Sequence, residues 1–324
     1  MTKVLITVDT ELSASRHQQG ASADANYASS ILGECGAGAY GIGWQMDVLD
    51  RLGLKAVFFI DPMPALVHGA AVIARAIRLV LDRGHEAQLH AHTEWLAFAD
   101  TPLVGGRTGR NIGDFSVEDQ VTLLRYGCDL FERAGAPRPI AFRAGNYGAD
   151  ERTLEALARV GLRYDTSFNA AYRGAGCRIA APPGRNAPYR RGAVIELPVS
   201  GLQDRPGHFR PAQVCALSAA EMARALGHAA SVGLPVFTIV THSFEMLSRD
   251  RQRVNRLQVA RFEAMAAAIA RHPGLRTIGY GDLDAGDWPE HDLPQAAPNL
   301  LHTAARFAEQ AWGGWRYERA GRAR

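Results

Sequence analysis

Two carboxylates stand two residues apart at the end of an apolar, β-branched run, Val4-Leu5-Ile6-Thr7-Val8-Asp9-Thr10-Glu11. In a strand, residues i and i+2 point to the same face, so Asp9 and Glu11 arrive side by side at the strand's C-terminal end. Parallel α/β folds place their chemistry at that end. Two like charges this close favour protonation of one acid, or a metal on one while the other acts as a base. A second cluster, His90-Ala91-His92-Thr93-Glu94-Trp95, follows the run starting at His85. Imidazole and carboxylate are ordinary zinc ligands, and a catalytic zinc has three protein ligands and an open position. Glu11 and His90 begin such a set. The third member is Glu94 if the chain turns after the strand, or His92 if it stays extended.

Two more segments carry reactive groups. Ala141-Phe142-Arg143-Ala144-Gly145-Asn146-Tyr147-Gly148 ends a short strand with an arginine that can orient one of the acids. Its glycines let backbone N–H groups approach a substrate oxygen. His242 follows the apolar Val236–Val240 after one threonine, Thr241, a suitable position for a general acid near neutral pH. Asp165 and Glu196 are further strand-end acids, either of which would serve to orient His242.

The elements that must position these groups alternate strand and helix. Strands are expected at Val4–Val8, Ala56–Ile60, His85–His90, Ile140–Phe142, from Tyr164, and at Val194–Val199, Val236–Val240 and Thr277–Tyr280. Helices are expected at Trp44–Leu52, Ala70–Leu81, Ser116–Ala134 with Ser116 as N-cap, Glu151–Val160, Ser218–Val232, Val254–Ala270 and Asn299–Ala311. Residues 12–42, rich in Ser, Ala, Gly and Gln, read as a long mobile loop over the active-site end. The pattern predicts one parallel α/β barrel over residues 1–284 and a helical extension over 285–324.

Composition narrows the function classes. The chain has 324 residues, 47% of them hydrophobic, and a net charge of +3, too small to argue for nucleic acid. Its basic end, Arg316 to Arg324, reads as a solvated tail, with a membrane-surface role as the minority reading. Cys35, Cys128, Cys177 and Cys215 lie far apart, without the spacing of a cysteine zinc site. No apolar run spans a bilayer and no leader precedes the first strand, so a cytoplasmic location is expected. Gly36-Ala37-Gly38-Ala39-Tyr40-Gly41 fits GxGxxG, and Asp61 lies where a ribose-binding acid would stand. The motif does not follow a strand directly, which argues against a dinucleotide site.

Taken in order, these motifs resemble the polysaccharide deacetylase (NodB-homology, carbohydrate esterase) family. The resemblance rests on Thr7–Glu11, Leu89–Glu94, Phe142–Gly148 and Thr241-His242-Ser243, with Lys55–Phe59 and Tyr164–Ser167 as further landmarks. It runs from residue 4 to about 280. It implies an irregular (β/α)7 TIM-like barrel, a divalent metal (Zn²⁺ first) and hydrolysis of an N-acetyl group on a sugar, nucleotide- or lipid-linked carriers included. By this analogy Glu11, His90 and Glu94 hold the metal, Glu94 being preferred to His92 because it stands in the place of the family's second histidine. Asp9, Arg143 and His242 are then catalytic, and Asn146, Tyr147 and Trp95 touch the substrate. Asp9-Thr10-Glu11 replaces the usual adjacent Asp-Asp, and the third motif lacks its prolines, so the chain resembles a divergent branch. Surface-polysaccharide or O-antigen assembly is the setting the analogy suggests. Two other classes stay open: a sugar-binding protein that kept the fold without catalysis, and a nicotinamide-dependent enzyme using the glycine loop.

Overall fold

The computed structural model describes residues 1–181, 184–283, 288 and 292–318. Its centre is a sheet of seven parallel strands: β1 (Thr2–Thr10), β2 (Val57–Ile60), β3 (Glu86–Ala91), β4 (Ala141–Ala144), β5 (Tyr164–Asp165), β6 (Val194–Glu196) and β7 (Val236–His242). They lie in the order β7-β1-β2-β3-β4-β5-β6, with an antiparallel strand Tyr189–Arg191 on β6 and Leu275–Thr277 beside the start of β1. The sheet curls into an irregular barrel of the (β/α)7 kind. Between β6 and β7 non-strand backbone fills the gap. Ser200 N–H donates to the Thr238 carbonyl at 3.1 Å, and Val240 N–H to that of Ala212 at 3.0 Å.

Strand parity explains both the core and the delivery of the acids. Leu5, Val57, Phe59, Ala141, Tyr164, Ile195 and Val236 form one apolar cluster inside the barrel. Val4, Ile6, Val8, Phe58 and Ile60 belong to a second cluster shared with the helices. Asp9 has the parity of Leu5, so it is carried inward with it.

Helices α1 (Ile42–Arg51), α2 (Ala70–Leu81), α3 (Val117–Arg133), α4 (Glu151–Val160), α5 (Ala219–Ser231) and α6 (Arg256–Arg271) supply the outer layer. Their starts follow ordinary capping chemistry. Ser116 Oγ accepts from Asp119 N–H at 3.2 Å, and Asp150 and Ser218 each close a capping box.

Residues 12–42 are not the open loop the composition suggests. They hold two short helices, Ala14–Gln18 and Ala23–Tyr27, a π turn Ala28–Leu32 and a small hairpin, Glu34–Cys35 with Gly38–Ala39. Leu12, Tyr27 and Ile31 are buried, and Asn26 ties the segment by accepting from Ser13 N–H and donating to its carbonyl. Buried anchors and paired backbone groups outweigh the loop-like composition. The GxGxxG run is therefore the turn of this hairpin.

A helix α7 (Leu300–Gly313) docks on α5 and on the hairpin Gly201–Arg205/His208–Pro211. Its fully buried Arg306 donates to Asp204 at 2.7 Å and to Glu221 at 3.1 Å. The expected boundary at residue 284 and the basic residues 319–324 lie outside the described residues. Among the described residues, no helix is long and apolar enough to cross a membrane.

Candidate active site

The C-terminal ends of the strands surround a cleft of about 430 Å³. Asp9, Glu11, His90, His92, Asn146, Tyr147 and His242 all line it. Glu11, one residue past β1, meets two imidazoles from the end of β3. Its Oε2 lies 3.3 Å from His90 Nε2 and 2.5 Å from His92 Nε2. One ligand atom from each of the three residues falls within 4.8 Å of the others.

Each imidazole is oriented through its other nitrogen. His90 Nδ1 lies 2.8 Å from the Arg143 carbonyl, which only accepts, so Nδ1 donates there and Nε2 is the ring atom turned to Glu11. His92 Nδ1 contacts Glu94 Oε1 at 3.0 Å in the same manner. Burial lowers the pKa of His92, but Glu11 and Glu94 on its two sides outweigh this and raise it well above the ordinary imidazole value. Burial likewise opposes the charge of Glu11, yet His92 and His90 hold it well below the usual carboxylate range. The gap between Glu11 and the two rings is where a divalent cation fits the donor set.

Glu94 thus does not join the cluster. β3 stays extended through His92 (φ −101, ψ 101), and the 3-10 turn Thr93–Phe98 then swings Glu94 behind that ring. His90 and His92 keep the i, i+2 parity of a strand, whereas the expected turn before Glu94 comes one residue too late. The same turn rotates Trp95 away from the cleft. Trp95 is 0% exposed and packs on the rings of His17, His68 and Phe98, so it is a core residue and not a substrate contact.

Arg143 lies inside the barrel with 0% exposure. Its Nη1 donates to Asp9 Oδ1 at 2.6 Å, and its guanidinium sits 4.5 Å above the Phe59 ring. Its Nη2 has no hydrogen-bond partner among the described residues. Beside it, Gly145 allows β4 to pass close to β3. A Cβ there would meet the Ala91 carbonyl at 2.7 Å and the His92 ring at 2.8 Å. Asn146 and Tyr147 then adopt left-handed backbone (φ 56 and 54), a strained conformation for two non-glycine residues in succession. The Tyr147 hydroxyl accepts from Gln213 Nε2 at 2.8 Å.

His242 is paired in register with Asp9 on the neighbouring strand, and Ser243 N–H donates to the Asp9 carbonyl at 2.9 Å. Its carboxylate partner is Glu245, three residues on, at 3.8 Å from Nδ1. Asp165 and Glu196 instead face each other on β5 and β6, fully buried. Burial and the facing acid push Glu196 well up, so this pair belongs to the barrel interior and not to His242. For His242, burial favours the neutral ring, but Glu245, with Asp9 and Glu11 adding to it, pushes the pKa up to about 9. Sequence reasoning also passed over Asp61 as a site neighbour. At the end of β2 its Oδ1 accepts from Met63 N–H at 3.0 Å and His92 N–H at 3.3 Å. Burial pushes its pKa up to about 7.

No protein-family profile matches the chain. Residues amounting to 52% of the chain are 25% identical, over 174 positions, to a "Peptidoglycan deacetylase-like protein FGM2" of Gibberella zeae. The match spans 44% of that relative, less than half its length. Among solved structures, a candidate polysaccharide deacetylase from Mycobacterium smegmatis superposes with a TM-score of 0.53 at 15% identity, covering 95% of this chain and 91% of the other. The α-amylase AmyC of Thermotoga maritima superposes with a TM-score of 0.50 at 9% identity, covering 92% and 77%. The resemblance to polysaccharide deacetylases carried by the ordered motifs is thus met again in sequence and in fold. The fold by itself therefore does not fix the reaction.

Proposed function

We propose that the chain is a metal-dependent hydrolase that removes the acetyl group from an N-acetylated sugar. The observation that carries this reading is the convergence of Glu11, His90 and His92 beside the Asp9–Arg143 pair and His242 in one cleft. The sequence likeness to a deacetylase-like protein supports it.

Glu11, His90 and His92 would hold the cation, and their hard and imidazole donors suit Zn²⁺. When bound, such an ion acidifies water and polarises the amide carbonyl. The remaining work falls to the chain's own groups. Asp9, fixed by Arg143, accepts the proton of the attacking water. Backbone N–H groups of the strained Asn146–Tyr147 turn face the oxygen that gains negative charge. His242, charged at neutral pH because of Glu245, donates a proton to the departing sugar amine. Glu94 and Asp61 position His92 from its ring and its backbone.

The test is acetate release from a panel of N-acetylated glycans and nucleotide or lipid-linked sugars, with metal content measured on the same protein. Release that requires a divalent metal and is lost in Asp9→Asn supports the reading. Sugar binding without release under Zn²⁺, Co²⁺, Mn²⁺ or Ni²⁺ would instead assign a sugar-binding role to the same cleft.

A further inference from the structure

Helix α7 buries one face and leaves the other bare. Thr303, Arg306 and Gly313 point into the protein, where Thr303 Oγ1 donates to the Asp204 carbonyl at 2.8 Å. Outward stand Leu300 (68% exposed), Leu301 (82%), Phe307 (49%) and Trp312 (50%), and then Trp315 (62%) in the π turn that continues the helix. Five of the eight large apolar side chains exposed among the described residues lie in these sixteen positions. The spacings of seven (Leu300 to Phe307), eight (Phe307 to Trp315) and three (Trp312 to Trp315) place them in one broad stripe, and the exposed residues between them are alanines 304, 305, 308 and 311. The acid within the helix, Glu309, is turned aside and paired with Arg261 at 2.7 Å.

The charge at one end of this stripe is positive. Arg316 and Arg249 are exposed there, held together by Arg249 N–H donating to the Tyr317 carbonyl at 3.1 Å. Glu318, exposed in the same π turn, is the acid at this end, and the sequence after it adds Arg319, Arg322 and Arg324, so the charge stays net positive. A second copy of the chain would bring the same net-positive end, with Glu318 alone to set against these arginines, so like charge would largely meet like. A bilayer with anionic headgroups meets both features, since Trp, Phe and Leu enter the interfacial zone while arginines reach the headgroups. Arg249 also lies in the segment that leaves β7 just after His242. The Trp315 end therefore lies at the mouth end of the barrel.

We infer that α7 is an interfacial anchor that seats the protein on an anionic lipid surface with the cleft end beside it. This inference is independent of the reaction proposed for the cleft. The test is sedimentation of the full chain with phosphatidylcholine vesicles, with or without phosphatidylglycerol. Binding is expected to the anionic vesicles and to weaken with added salt. Trp312→Ser/Trp315→Ser should lower it about tenfold or more, and Arg316→Gln about fivefold. Trp315 and Arg316 are exposed, so the single variants Trp315→Ser and Arg316→Gln should leave thermal unfolding in place. Trp312 also packs on the buried Tyr317 ring, so the double variant is compared at a temperature below its own midpoint. No binding to anionic vesicles, or equal binding by the tryptophan variant, overturns the inference. Light scattering that shows a dimer abolished by the same variant, without vesicle binding, assigns the face to a second copy and overturns it equally.

Discussion

Asp9→Asn removes a charge from the interior of the barrel while keeping the shape of the side chain. Arg143 is 0% exposed, its contact to the Thr166 carbonyl is long at 3.4 Å, and its Nη2 is unpartnered. The 2.6 Å bond to Asp9 is therefore the chief compensation of a buried guanidinium. Breaking such a pair from one side costs about 3–5 kcal/mol, most of it the penalty of the charge left behind. Over 324 residues this lowers the unfolding midpoint by roughly 4–7 °C, taking about 2.1 cal/mol/K per residue. Arg143→Met in the Asp9→Asn background removes the stranded cation and should recover part of the loss, a coupling that a double-mutant cycle reads directly. Differential scanning calorimetry on the four proteins measures it. Acetate release should fall about 10²–10⁴-fold in Asp9→Asn, with metal content unchanged. An unchanged midpoint in Asp9→Asn, or strictly additive losses in the double variant, would refute the claim that Asp9 compensates Arg143.

Three further outcomes follow from the same geometry. His92→Ala should lose the bound metal in elemental analysis, whereas Glu94→Gln should keep the stoichiometry and weaken affinity about 10–100-fold; the opposite ranking would return Glu94 to the ligand set. The rate should decline as pH rises through about 9, where His242 loses its proton, and Glu245→Gln should move this limb toward the ordinary imidazole value. The stability that His242 contributes is complete below its unfolded pKa of about 6.5 and is lost as pH rises through about 9. A high-pH limb unmoved in Glu245→Gln counts against that pairing. Gly145→Ala should displace His92, because its Cβ would lie 2.8 Å from that ring, so metal affinity should drop even though no ligand is replaced; titration with Zn²⁺ checks this.

The barrel was legible because its strands are apolar runs that end in polar residues, as at Val4–Asp9 and Val236–His242. Capped helices such as α3 declare their own start, here through Ser116. The groups converging on the cleft were legible for the same reason, since strand ends in a parallel barrel share one mouth. What escaped was set by single residues of local geometry. The choice between His92 and Glu94 turned on where the 3-10 turn begins, and the burial of Trp95 followed from that turn. Glu245 lies three residues past His242 and carries no mark of its own in the sequence. Residues 12–42 fold on anchors, Leu12, Tyr27 and Ile31, too widely spaced to register as a periodic pattern.

Registered pairing of β1 with β7 has a consequence for turnover. Asp9 and His242 are backbone neighbours, about 4.8 Å apart as adjacent strands are, and residues in register lean to one side of the sheet. Under the proposed reaction, each cycle ends with an extra proton on Asp9 and one missing from His242. Their adjacency lets a single water carry that proton from one to the other, so the enzyme returns to its starting state within the cleft. The steady-state rate should then be insensitive to buffer concentration at fixed pH. An acid and a base set on opposite walls would have to reset through bulk solvent.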